Sequence, residues 1–142
     1  MNDPGPPRRV LLVDDAPGVR EALRWALEDE PDLVVVGEAG DGDEALRRAA
    51  DLAPDVIILD VALPGQDGFA VARALKTAAR PPAVVFLTVH ADADARRRGA
   101  AAGGDGFVAK GTGWAALLAE VRRVVIAPPR VDGRGHPAPG AR

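Results

Sequence analysis

The sequence predicts an α/β fold: a doubly wound, five-stranded parallel sheet with helices on both faces. Three observations carry this expectation. Short apolar runs alternate strictly with longer stretches of helical periodicity. The runs are apolar throughout rather than at every second residue, as in strands covered on both faces. Five such β–α units follow one another, which calls for parallel strands joined by right-handed crossovers.

The first strand is Val10-Leu11-Leu12-Val13. Pro17 suits the first turn of the helix that follows, where Val19, Leu23, Ala26 and Leu27 recur at helical spacing up to Pro31. Leu33 to Val36 reads as the second strand, closed by Gly37. Asp41 or Asp43 is placed to cap a helix carrying Ala45, Leu46, Ala49 and Leu52. The third strand is Asp55 to Leu59. Gly65 to Ala79 holds the third helix, with Phe69, Val71, Ala72 and Leu75 on its buried side. Ala83 to Leu87 is the fourth strand. The helix over Asp92 to Ala101 contains Gly99 and almost no large apolar residue. Gly106 to Ala109 forms a short fifth strand, and the last helix uses Leu117, Leu118, Val121, Val124 and Val125.

Length and composition narrow what such a fold is used for. The 142 residues suit one compact domain. Aromatics supply only 4% of them, so the core is expected to come from Val, Leu, Ile and Ala. The absence of cysteine excludes disulfides, thiolate metal sites and cysteine nucleophiles. A formal net charge of −3 gives no basic footprint, so direct nucleic-acid binding by this chain is not expected. No apolar run approaches the ~20 residues of a membrane span, and nothing at the start resembles a secretory signal. A cytoplasmic protein is the default. Residues 1–8 and 127–142 are rich in Pro and Gly and read as a disordered segment and tail around a domain at 9–126.

In open parallel sheets, ligands sit beyond the carboxyl ends of the strands. The residues found there are Asp14-Asp15, Asp60, Thr88 and Lys110. Taken singly, an acidic residue after a strand caps a helix more often than it does chemistry. Five polar residues of this kind on one edge point to a site. Three close carboxylates repel one another and require a cation. Mg²⁺ suits them, because it takes one or two protein carboxylates and completes its shell with water and phosphate oxygens. An aspartate carboxylate is also a nucleophile toward phosphorus, and phosphoryl transfer demands mainly positioning and charge neutralisation.

Val13-Asp14-Asp15, Ile58-Leu59-Asp60, Pro64-Gly65, Asp67-Gly68, Leu87-Thr88 and Gly106-Phe107-Val108-Ala109-Lys110 resemble the motifs of receiver domains of two-component response regulators. The resemblance covers roughly residues 9–126 and implies the flavodoxin-like strand order 2-1-3-4-5, one of the common orders of open doubly wound sheets. It further implies that Asp60 is the phosphoacceptor and that Asp15 ligates Mg²⁺ with Asp60 and the backbone carbonyl of Ala62. Asp14 would act through water. Thr88 is implied as the switch hydroxyl, Lys110 as the cation that binds the phosphoryl group, and Phe107 as the rotating aromatic. The implied donor is a sensor histidine kinase. The implied output is a remodelled face of the fourth helix, fifth strand and fifth helix that controls a downstream protein. Such a chain is no enzyme in the ordinary sense; it assists its own phosphorylation and dephosphorylation.

Residues 31–39 and 103–110 are most similar to receivers that usually carry a helix-turn-helix output domain, and the chain is here expected to be single-domain. A receiver fragment of a DNA-binding transcriptional regulator and a degenerate receiver acting as a constitutive binding module are the alternatives. A phosphatase with an aspartate nucleophile would want a second carboxylate two residues after Asp60, where Ala62 stands. Gly111 follows Lys110 where many receivers have a cis-proline. Arg96-Arg97-Arg98 reads as a solvated face, and Gly37, Gly40 and Gly42 read as turn residues. Trp25 and Trp114 read as partly buried surface packing. Trp114, near the output face, is the better candidate for a partner or homodimer contact through the last helix.

Overall fold

The computed structural model describes residues 5–125. Residues 1–4 and 126–142, which include the whole expected tail, lie outside the described residues. The elements in chain order are β1 (Arg8–Val13), α1 (Pro17–Glu28), β2 (Leu33–Ala39), α2 (Gly42–Leu52), β3 (Val56–Leu59), β4 (Ala62–Leu63), β5 (Gln66–Asp67), α3 (Gly68–Leu75), β6 (Ala83–Thr88), α4 (Ala93–Ala101), β7 (Gly106–Ala109) and α5 (Trp114–Val125). Five strands form one parallel sheet in the order β2-β1-β3-β6-β7. With the two-residue hairpin β4-β5 set aside, this is the expected 2-1-3-4-5.

The continuous apolar strands make two cores. Leu11, Val13, Ile57, Leu59, Val84 and Phe86 face one way, onto Ala45 of α2, Phe69, Val71 and Leu75 of α3, and Ala95 of α4. Val10, Leu12, Val56, Ile58, Val85 and Leu87 face the other way, onto Leu23 and Leu27 of α1 and Leu117 and Val121 of α5. Helices thus cover both faces of the central strands, and the carboxyl ends of the strands lie outside this packing.

Several local expectations change. Arg8, assigned to the disordered segment, is the first residue of β1, because its amide donates to the Asp32 carbonyl and it pairs with Leu33. Gly37 does not close β2 but lies inside it, beside a register shift opposite Val10 and Leu11. A Cβ there would stand 2.7 Å from Leu52 Cδ1, so this glycine makes room for α2 rather than a turn. Asp41, not Asp43, caps α2 by accepting from the Glu44 amide at 2.8 Å, while Glu44 Oε1 accepts from the Gly40 amide. The third helix is shorter than expected. Gly65 takes a positive φ of 68° to turn the β4-β5 hairpin, and Asp67 then caps α3 through the Phe69 amide. At the other end Lys76 leaves the helix to bind the Pro82 carbonyl and Asp105.

The arginines of α4 are exposed, as expected of a solvated face, but two of them also meet aromatic rings. Arg96 lies over the Phe107 ring at 5.1 Å and Arg98 over the Phe69 ring at 4.6 Å, with Arg98 also 3.6 Å from Asp67. Only Ala95 and Gly99 of this helix are buried. Guanidinium faces on aromatic rings replace the large apolar side chains that α4 lacks. Such exposed contacts contribute less than buried leucines, so α4 amides are expected to exchange with solvent much faster than those of α3. Equal protection in a hydrogen-exchange experiment would refute this.

Candidate functional site

The ladder hydrogen bonds run one residue past the strand ends and set the backbone of the site. The Asp14 amide donates to the Ala39 carbonyl, the Asp60 amide to Val13, and the Lys110 amide to Thr88. Asp14, Asp60, Thr88 and Lys110 therefore have their backbones fixed by the sheet itself. Loops place the remaining atoms.

Asp14 and Asp60 are almost wholly buried, at 2% and 6% exposure, whereas Asp15 is exposed. One carboxylate oxygen from each of the three lies within 4.8 Å of the others. Lys110 reaches across from β7 and bridges the pair, its Nζ donating to Asp14 Oδ2 at 2.8 Å and Asp60 Oδ2 at 2.9 Å. Partial burial opposes the ammonium's charge, but its bonds to Asp14 and Asp60 outweigh this and hold the amine above its usual range. The second oxygens are occupied as well. Asp14 Oδ1 accepts from the Ala16 amide and Asp60 Oδ1 from the Ala62 amide. Three carboxylates against one ammonium leave two negative charges uncompensated at the cluster, which fits a divalent cation held by oxygen ligands.

Of the other expected site residues, Thr88 and Ala62 fall at the same edge, whereas Phe107 lies inside β7, opposite Phe86. Thr88 ends β6, is fully buried, and accepts from the His90 amide through its hydroxyl at 3.2 Å. Ala62 contributes its amide to Asp60. Gly111 takes a φ of 91° directly after Lys110, turning the chain back toward α5. Phe107 is half-buried on β7, its ring 5.8 Å from that of Phe86 and covered by Arg96, while its amide donates to Glu120 of α5. Neither tryptophan is well buried: Trp25 is 68% exposed and Trp114 41%, so the surface-packing reading is weakest at Trp25.

Two supports of the site escape sequence reasoning. Arg20 of α1 donates to the Asp14 carbonyl, and no hydrophobic period marks such a polar contact. Gly68 is visible only as part of the Asp67-Gly68 motif. A Cβ there would stand 2.5 Å from the Asp60 carbonyl and 2.6 Å from Val61 Cα. Backbone cannot yield as a side-chain tip can. Gly68→Ala is therefore expected to cost about 1–3 kcal/mol in urea denaturation and to displace Asp60 from Lys110.

Comparisons with known proteins agree with this fold. The family model described as the response regulator receiver domain matches residues 10–122. A protein-glutamate methylesterase/protein-glutamine glutaminase of Symbiobacterium thermophilum is 38% identical over 136 residues, covering 88% of this chain and 37% of that protein. The response regulator UvrY of Escherichia coli K12 is 33% identical over 115 residues, covering 81% of this chain and 53% of its own. The chain thus spans about half, or less, of the length of these curated relatives. Among solved structures, the signal receiver domain of the putative response regulator NarL from Mycobacterium tuberculosis superposes with a TM-score of 0.82 at 31% identity. That match covers 87% of this chain and 99% of the other. The response regulator domain of Thermotoga maritima CheB gives 0.78 at 29% identity, covering 84% and 96%.

Proposed function

The chain belongs to the response regulator receiver family, and on that footing we propose that it accepts a phosphoryl group on Asp60 in a Mg²⁺-dependent reaction within a two-component system. The observation that carries this reading is the Lys110 bridge: one ammonium touches both buried carboxylates of a three-carboxylate cluster at the open edge of the sheet.

The phosphoryl donor is a phosphohistidine of a sensor histidine kinase. A carboxylate oxygen of Asp60 forms the new O–P bond as the P–N bond breaks, and the leaving imidazole nitrogen keeps the electron pair. Lys110 pairs with Asp60 before transfer and shifts to a phosphoryl oxygen afterwards. Asp15, Asp60 and the carbonyl of Ala62 are the ligands we assign to Mg²⁺, with Asp14 acting through water. When bound, the ion neutralises charge on the phosphoryl oxygens. The Thr88 hydroxyl donates to another phosphoryl oxygen. The product brings roughly −1.5 to −2 charges to a buried position. Movement of Thr88 toward it opens space beside Phe107, and the α4-β7-α5 face changes as a unit to control a downstream protein.

The partial coverage of UvrY favours a second reading, in which the chain is the receiver part of a larger response regulator. Both readings predict the same chemistry. Acetyl phosphate with Mg²⁺ should add the mass of one phosphoryl group, and chelation of the metal should prevent it. Beryllofluoride should bind only with Mg²⁺. No response to either reagent would favour a constitutive binding module instead.

A further inference from the structure

Two of the three clustered carboxylates are held by the protein, and the third is not. Asp14 is fixed by the Ala16 amide and Lys110, and Asp60 by the Ala62 amide and Lys110. Asp15 is exposed, and its carboxylate bonds to no described residue. Its aim therefore depends on its backbone, which follows directly from Asp14. Arg20 Nη1 donates to the Asp14 carbonyl at 2.5 Å, on the peptide that joins Asp14 to Asp15. The same guanidinium is anchored at its other side, with Nε donating to Glu38 Oε1 at 3.0 Å. Glu38, on β2, also accepts from Arg24 Nε at 2.8 Å, so α1 is fastened to β2 at two points one helical turn apart. Only the first of these reaches the site.

We propose that Arg20, anchored by Glu38, is a positioning residue for the metal ligand Asp15: it fixes the Asp14–Asp15 peptide plane and so sets the affinity for the divalent ion. This inference rests on the metal reading given above. A rigid planar fork serves here because Nε and Nη1, set apart in one fixed plane, meet the Glu38 carboxylate and the Asp14 carbonyl together, a geometry that a flexible ammonium does not preset. The side chain is 18% exposed, against 37% for Arg24, as expected of a group packed into the end of the sheet. Partners that orient metal ligands are typically worth 10–100-fold in affinity.

Calorimetric titration of the full chain with Mg²⁺ tests this. Arg20→Ala should weaken binding about tenfold or more. Arg24→Ala loses its bond to the same Glu38 but touches no carbonyl at the site, and should keep wild-type affinity. Arg20→Lys should fall between. If Arg20→Ala does not fold, Arg20→Lys decides alone, and wild-type affinity in it overturns the proposal. Wild-type affinity in a folded Arg20→Ala, or an equal loss in Arg24→Ala, overturns it too, because the ion pairs would then only fasten α1 to β2. A wild-type chain that binds no Mg²⁺ would instead sink the metal reading on which the proposal stands.

Discussion

Asp60→Asn is expected to abolish acceptance of a phosphoryl group, so that mass spectrometry after acetyl phosphate treatment finds only unmodified chain. The amide lacks the anionic oxygen that attacks phosphorus. Folding should survive. Asp60 is 6% exposed and shares Lys110 with Asp14. Removing one buried negative charge leaves that ammonium paired one to one and relieves repulsion in the cluster. The asparagine can still accept the Ala62 amide bond that Asp60 Oδ1 now takes. Loss of modification with unchanged or slightly raised stability is therefore the expected pair of results. Persistent modification at wild-type levels would move the acceptor elsewhere, and Asp14 and Asp15 would be the residues to map.

Lys110→Met should do the opposite to stability. Its ammonium is the only cation bonded to the carboxylates of Asp14 and Asp60 among the described residues, and its side chain is only 22% exposed. Without it, two nearly buried carboxylates repel one another with no side-chain cation between them, which strains the strand ends. Breaking a buried pair by removing one partner costs about 3–5 kcal/mol. The opening of this site to solvent places the expected loss below that range, at about 2–3 kcal/mol in urea without metal. Saturating Mg²⁺ should recover part of that deficit, since the ion supplies the missing positive charge. The transfer rate should not recover. A phosphoryl oxygen has lost its donor, and such losses typically reduce rates by about 10²–10³-fold. A rate within a few-fold of wild type at saturating Mg²⁺ would remove Lys110 from the reaction.

Much of this is legible in the chain because parallel strands advertise themselves. Val10 to Val13, Val56 to Leu59 and Ala83 to Leu87 are apolar on both faces, and helices with a single apolar stripe follow them. Strand order aside, that pattern leaves few topologies, and the polar residues after each strand then fall on one edge. Asp14, Asp15, Asp60, Thr88 and Lys110 stand out by that position alone. The supports do not. Arg20 contributes a polar contact across 6 residues of sequence and another to Glu38 across 18, and neither leaves a periodic trace. Gly68 is one glycine among 16 until the Asp60 backbone is seen to lie against it.

The arginines of α4 show the same limit from the other side. Along the chain they are charges on a helix without apolar anchors, and solvation is the natural expectation. Their partners, Phe69 and Phe107, come from α3 and β7, so the contacts exist only once the sheet has brought those elements together. Strands, helices and the chemical inventory of the site are written in the residues themselves, because hydrophobic period and strand-end position are local properties. Which carboxylates share Lys110, which glycine keeps clear of Asp60, and what holds Asp15 in place are properties of the folded chain. They depend on distances between residues far apart in sequence, and the packed sheet alone sets those.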